Sequence, residues 1–564
     1  MNTPWTETVD RQSPLPEYPR PQMVRRDWMS LNGEWEYAIS DSKVIPERFD
    51  GTIIVPFSPE TELSGVGRAL APGQYLWYRR EISLPESFAG KRLLLHFGAV
   101  DQVADLWVNE KHAATHIGGY LPFEADVTIS PAEKSLSLVV RVTDDTDRGF
   151  HTRGKQKTKR GGIWYTPQSG IWQSVWIEAV PLSYVRALRI TPFFDYAEVD
   201  ISADVVGKER AFAHFDGKSY ELPASIPVPG FDAWSPEHPK LYEFTVTCGD
   251  DEVKSYFAMR KFSVEKDDKG VPRLFLNNAP YFHNGVLDQG YWPDGLYTAP
   301  TDEAMQRDIL AAKESGFNML RKHIKVEPLR WYYHCDRLGM LVWQDMPCGG
   351  GRYSPAIVAA PLVTGIHLRD DAYGRFGRDD EAGRREFEIE LIDMVNHLYN
   401  CPCIAMWVIF NEGWGQFDAK KMLDLVRSLD KTRLIDHASG WHDQKIGQLR
   451  SEHVYFRPYQ FKPDALGRAV VLSEFGGYNH AVPSHRFNEN NFGYRSFETP
   501  TQLRTALEEL YQEQIAPARK RGLAAAVYTQ ISDVEDELNG LMTYDRRVVK
   551  IAPEIMRMIV DVGK

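Results

Sequence analysis

Over the first 180 residues the apolar positions come in short runs, alternating with polar ones or enriched in β-branched and aromatic residues, and turn-forming residues separate them. Segments 92–97, 104–108 and 138–142 are examples, each of strand length and none with a helical period. This pattern predicts an all-β sandwich over residues 1–181. Shorter runs of the same kind fill 182–268. There, 242–246 reads as a strand and Trp234-Ser235-Pro236-Glu237-His238-Pro239 as a turn-rich break, so a second, smaller β-sandwich is predicted.

From residue 269 to the end the texture changes, because strand-like runs now alternate with helical patterns, as parallel β-α units require. Eight candidate strands lie at 281–287, 318–321, 341–344, 405–410, 433–436, 453–456, 470–473 and 524–528. Between the first two, Thr301 is placed to cap a helix carrying Met305, Ile309 and Ala312 at helical spacing, with Gly316 just past its end. Phe387, Leu391, Met394, Val395 and Leu398 mark another amphipathic helix. Eight such units over roughly 290 residues predict a (β/α)8 barrel, a fold of about 250 residues without insertions. The Gly-, Pro- and Arg-rich stretch 348–383 then becomes one long excursion after the third strand, on the face where such barrels carry their active sites.

Composition narrows the function classes. The 564 residues carry 66 Lys and Arg against 78 Asp and Glu, a net charge of −12, with 43% hydrophobic and 26% charged residues. Disorder is excluded, and a net acidic chain repels nucleic-acid phosphates, so no nucleic-acid partner is expected. No run approaches the 18 or so apolar residues of a membrane span, and the first 26 residues hold no apolar signal core, so a cytoplasmic location is expected, with a leader removed upstream left open. Five scattered cysteines without CxxC spacing read as reduced thiols. One segment runs against the acidic background: Arg153 to Arg160 holds five cations in eight residues, either a solvated loop or, if it points at the barrel, a contact for an acidic ligand.

Two strand ends carry the candidate chemistry. The fourth runs Trp407-Val408-Ile409-Phe410-Asn411-Glu412, and the seventh Val470-Val471-Leu472-Ser473-Glu474. A glutamate abutting an apolar run needs an explanation, since Glu is rarely buried without a partner. Either acid alone could be a solvated loop residue or the partner of an arginine. Strands four and seven, however, lie on opposite sides of a barrel, so the two acids can face each other across its mouth. A carboxyl pair about 5–5.5 Å apart suits retaining glycoside hydrolysis, and one about 6.5–9.5 Å apart suits inversion.

At these residues the chain resembles glycoside hydrolase family 2, the group of β-galactosidases, β-glucuronidases and β-mannosidases. The resemblance also rests on Leu31-Asn32-Gly33-Glu34-Trp35, Gly118-Gly119-Tyr120-Leu121-Pro122-Phe123, Ser169-Gly170-Ile171-Trp172-Gln173-Ser174-Val175-Trp176, Gly316-Phe317-Asn318-Met319-Leu320-Arg321 and Cys335-Asp336-Arg337-Leu338-Gly339. It implies a jelly-roll, sugar-binding-like sandwich, an immunoglobulin-like sandwich and a catalytic barrel. It further implies Glu412 as general acid and base, Glu474 as nucleophile and Asn411 as the ligand of the sugar 2-hydroxyl. Arg321, His323, Asp288, Trp292, Trp441 and Tyr455 are further candidates for the sugar pocket, each set against a packing or loop role.

The activity this implies is a retaining exo-β-glycosidase on terminal sugars, most like a β-galactosidase, acting on an oligosaccharide or glycoside, with no cofactor and no catalytic metal. A β-glucuronidase or an arabinopyranosidase-type enzyme is the alternative. Family glucuronidases hold the sugar carboxylate with an Asn-x-Lys tripeptide, which the barrel segment lacks, so a uronic acid is disfavoured at this stage. The eighth strand also departs from the family, reading Val527-Tyr528-Thr529-Gln530 where a Trp is common. A catalytically silent carbohydrate-binding protein is the non-enzyme reading, against which stands the presence of both carboxylates. Self-association is compatible with such barrels, but no segment specifies an interface.

Overall fold

The computed structural model describes residues 1–130 and 133–562. Two antiparallel sheets form the first sandwich, one of six strands that includes Gly33–Ser40, Tyr75–Ser83 and Ser135–Thr143, the other of four that includes Arg92–Phe97 and Val175–Val180. Their inward faces meet in an apolar core holding Trp35, Leu95, Leu106, Val140 and Ile177. The second sandwich packs a three-stranded sheet on a four-stranded one around Val185, Ile201, Val246 and Phe257. A three-stranded meander over Phe262–Lys266, Pro272–Leu276 and Ala279–Pro280 leads into the last unit.

There, eight strands pair in parallel: His283–Asp288, Met319–Lys322, Leu341–Asp345, Ile404–Val408, Leu434–Asp436, Leu449–Val454, Ala469–Gly476 and Leu523–Thr529. Spatial order runs fifth to first, then eighth, seventh and sixth, so the ladder nearly closes into a barrel. Among the described residues only the junction of the fifth and sixth strands lies outside the hydrogen-bonded ladder. The first predicted helix forms over Asp302–Glu314, capped by the Thr301 hydroxyl accepting from the Ala304 amide. The second spans Glu381–Leu398 and buries all five predicted apolar positions.

The predicted sixth strand, 453–456, starts too late. The strand occupies Leu449–Val454, and its alternately buried residues are Leu449, Ser451 and His453. Its inward face is mostly polar because it lines the barrel mouth, so the apolar signal used to find strands is missing there. The excursion over 348–383 carries two short helices, Pro355–Val358 and Ala360–Thr364, and a 3-10 turn. No described helix is long and apolar enough to cross a membrane, and all five cysteines are free and buried.

Buried charge ties the units together. The Arg25 guanidinium, on the segment before the first sandwich strand, donates to Glu178 of the first sandwich (2.8 Å) and in fork geometry to Asp251 of the second (2.9 Å to each oxygen). Removing one member of a buried ionic cluster strands the others, at a cost of about 3–5 kcal/mol. We therefore expect Arg25→Ala to lower the unfolding free energy read from urea denaturation by that amount. Arg26→Ala, whose side chain is 94% exposed, should change stability by no more than about 0.5 kcal/mol; equal losses in the two variants would refute the assignment.

Candidate active site

The barrel geometry brings the ends of the fourth and seventh strands together. Glu412 sits past the fourth strand with its backbone in the left-handed region, φ 50°, and its amide donates to the Ser439 carbonyl at 2.9 Å. A non-glycine residue held there is uncommon and marks a turn that aims one side chain. Glu474 lies within the seventh strand, Ala469–Gly476. Both are buried, Glu412 at 7% and Glu474 at 4% exposure. Oxygens of the two carboxylates lie within 4.8 Å of each other and of a His453 ring nitrogen.

His453, which no sequence signal singled out, stands between them. Its Nδ1 is 2.8 Å from Glu412 Oε1 and 3.5 Å from Glu474 Oε2. The Nε2 faces Arg321 Nη1 at 3.4 Å. Ser439 Oγ also meets Nε2, at 2.9 Å.

Arg321 is the hub on the opposite side. It donates to both oxygens of Asp345 (3.1 and 2.9 Å), to Glu474 Oε1 (3.0 Å), to the Ser473 carbonyl (3.1 Å) and to Asn411 Oδ1 (2.8 Å). Asn411 Oδ1 is thereby engaged, while its buried Nδ2 makes no well-formed hydrogen bond and has the His323 ring as its neighbour. Tyr455, stacked on Tyr494 with ring centroids 3.7 Å apart, donates its hydroxyl to Glu474 Oε2 at 2.5 Å. Burial pushes the Glu474 carboxyl up, but the charges of His453 and Arg321 and the Tyr455 hydroxyl outweigh it and hold the group below its ordinary value. Asp345 shows the opposite balance, with burial raising it to about 6 despite Arg321. Burial, with the charges of Lys155, Arg321 and His453 added, drives His323 well below its usual range, so that imidazole is neutral.

The first sandwich contributes to the same mouth. Its basic loop is solvated only in its second half. Arg153 and Lys155 are 3% and 5% exposed, and the Arg153 and Gly154 amides both donate to the Cys348 carbonyl of the barrel excursion (2.8 and 3.0 Å). Gly154, at φ 59°, passes so close to Tyr120, Tyr297 and the Ile324 carbonyl that a Cβ would stand 2.7–2.9 Å from them. Glycine alone fits. The Lys155 ammonium comes to 5.2 Å from the Trp414 ring and 5.5 Å from that of Tyr165.

The remaining candidates divide. His323 Nδ1 is 2.9 Å from Gln289 Oε1 and its Nε2 is 3.5 Å from Glu474 Oε1, which places it in the site. Trp441 is half-buried and packs on the rim cluster of Ile324, Cys348, Val358 and Trp414. Asp288 is spent elsewhere, accepting from Lys322 Nζ (2.6 Å) and the Gly290 amide (2.9 Å). Trp292 lies against Trp5 and under the Arg546 guanidinium, 4.1 Å from its ring centroid. Among the described residues, neither is hydrogen-bonded or ion-paired to the two glutamates. Sequence reasoning passed over Asp345 and His453; Asp345 closes its strand and obeys the rule that found the glutamates, whereas His453 falls at the start of the misplaced sixth strand, where that rule does not reach.

Glu412, His453 and Glu474 form the one trio of ligating side chains with this spacing among the described residues. The Arg321 guanidinium at 3.0 Å from Glu474 sets a fixed positive charge beside it, which opposes a cation there.

Comparison with known proteins agrees with this architecture. Residues 67–181 match the model for the glycosyl hydrolases family 2 sugar binding domain, and 273–470 match the one for that family's TIM barrel domain. A β-galactosidase of Thermoanaerobacter pseudethanolicus is 23% identical over 387 residues, 63% of this chain and 47% of that protein. The chain thus spans about half the length of the curated relatives it matches. Among solved structures, a Ruminococcus gnavus β-glucuronidase in complex with uronic isofagomine superposes with a TM-score of 0.74 at 17% identity, covering 95% of this chain and 98% of that one. A family 2 β-galacturonidase of Eisenbergiella tayi bound to galacturonate gives 0.72 at 18%, covering 96% and 99%. With two domain models matched in order along the chain, and the same three-part architecture in the solved relatives, the chain belongs to glycosyl hydrolase family 2.

Proposed function

We propose that the protein is a retaining exo-β-glycosidase working by double displacement, with Glu474 as nucleophile and Glu412 as general acid and base. The separation of the two carboxylates carries the reading: facing oxygens within 4.8 Å fit the about 5–5.5 Å of retaining sites better than the about 6.5–9.5 Å of inverting ones. Glu474, kept ionised by its neighbours, attacks the anomeric carbon while the leaving oxygen takes a proton from Glu412. A water deprotonated by Glu412 then releases the sugar with its original configuration. Asn411 Nδ2 donates to the 2-hydroxyl, a contact that strengthens as positive charge develops on the ring. The low exposure of both acids, and the sandwich loop closing one side, suit a pocket for a single terminal sugar. A panel of nitrophenyl β-glycosides, with the first-formed anomer read by proton NMR, tests the proposal; a product of inverted configuration would refute it.

The names of the relatives divide between β-galactosidase and uronidases, so the glycone is argued from this chain's residues. A neutral galactoside is the reading that the curated β-galactosidase relatives favour. An acidic glycone is favoured by one cation in the pocket, taken up below.

The ionised form of Glu474 is the active one, so kcat/KM should be full above its depressed value and fall as pH drops through it. Tyr455→Phe keeps the ring on Tyr494 and removes the hydroxyl that helps hold Glu474 down. Its acidic limb should move up by about 0.5–1 pH unit. An unmoved limb would detach Tyr455 from Glu474.

A further inference from the structure

We propose that Lys155, carried into the barrel mouth by the first sandwich, binds an anionic substituent on the terminal sugar, a carboxylate at C6 or a sulfate ester, and makes the protein select acidic glycosides. The inference rests on the hydrolase reading above and names its substrate class.

Most other cations in and around the pocket are spent; Arg378 donates its Nε to the Gly415 carbonyl (2.8 Å) but leaves Nη1 and Nη2 without a partner. Arg321 is saturated by Asp345, Glu474, Asn411 and Ser473. Lys322 is paired with Asp288 and Glu327 (2.6 and 2.8 Å), and Lys325 with Glu327 and two carbonyls. Arg153 donates to the Gly350 and Gly351 carbonyls. Lys155 differs. It is 95% buried, yet among the described residues its ammonium has no hydrogen bond and no carboxylate within 4.0 Å; it lies over the faces of Trp414 and Tyr165. The residue is buried but its Nζ keeps some contact with solvent, so an anion can reach the ammonium and replace the hydration that burial has removed.

Its charge nevertheless reaches the reacting centre, since it acts on Glu474, His323 and Glu537. The position is fixed by docking, with the loop backbone bonded to Cys348 on one side of Lys155 and the Lys155 carbonyl accepting from the Tyr165 amide at 3.0 Å on the other. Trp414 lies two residues beyond Glu412 and offers a flat face to sugar C–H groups beside the ammonium. An acidic sugar entering a pocket that already holds two glutamates needs a fixed counter-charge, and Lys155 supplies it from outside the barrel. The absence of an Asn-x-Lys tripeptide in the barrel segment therefore does not exclude an acidic glycone, because the cation comes from another domain.

The test compares kcat/KM for 4-nitrophenyl β-D-galacturonide, β-D-glucuronide, β-D-galactoside and galactoside 6-sulfate in the wild type and in Lys155→Met and Lys155→Arg. In the wild type the best acidic substrate should exceed the galactoside by at least about 100-fold. In Lys155→Met that ratio should collapse by at least about 50-fold, mainly through KM, and Lys155→Arg should restore part of it. Preference for the uronides or for the sulfate identifies the anion. A wild type that prefers the galactoside, or a Lys155→Met variant that slows all four substrates alike, would overturn the proposal. If the wild type hydrolyses none of the four, the hydrolase reading is decided by the wider glycoside panel, and the Lys155 site by calorimetry with free galacturonate, glucuronate and galactose. Tighter binding of a uronate that is lost in Lys155→Met upholds the Lys155 site, and binding indifferent to the carboxylate removes it.

Discussion

Glu474→Ala is expected to lower kcat by about 10⁴-fold or more, because it removes the atom that forms the covalent bond to the sugar. Glycone affinity should persist, since Arg321 keeps its bonds to Asp345 and Asn411. Added azide should restore part of the cleavage of an activated substrate by entering the space the carboxylate leaves. The C1–N bond forms as the C1–O bond breaks, in one inverting step, so the product should be the α-glycosyl azide. A variant that hydrolyses as the wild type does would take Glu474 out of the mechanism.

Glu412→Gln carries the second large effect, and it depends on the substrate. Leaving groups that need a proton should suffer by about 10³–10⁴-fold, whereas a dinitrophenolate, which departs unaided, should lose no more than about 10-fold in its first step. Deglycosylation also needs Glu412, so the intermediate should accumulate and KM for the activated substrate should fall. Here azide attacks the glycosyl-enzyme and should give the β-glycosyl azide, the opposite anomer to that from Glu474→Ala. Equal damage to both substrate types would argue against the acid role.

The eight barrel strands were legible because most carry apolar residues packed into the core, as with Trp343 and Met406. The sixth was misplaced because Ser451 and His453 put polar groups on its inward face. Glu412 and Glu474 stood out because each interrupts an apolar run. Asp288 obeys the same rule, but Lys322 on the neighbouring strand takes it into an ion pair, a partner that sequence spacing does not reveal. Lys155 was illegible for a different reason. Five cations in eight residues read as a solvated loop, and whether such a loop docks depends on Tyr120, Tyr297 and Cys348, which only folding brings beside Gly154.

The central claim is that Glu474 bonds to the sugar while Glu412 moves the proton. Incubation with an activated 2-deoxy-2-fluoro β-glycoside of the preferred sugar slows both steps, and release of the intermediate most, so the adduct can be digested and located by mass spectrometry. The peptide carrying Glu474 should gain the mass of one fluorosugar, with the label lost on adding an acceptor alcohol. An adduct on any other residue, or turnover of a good substrate with no adduct at all, would contradict the account.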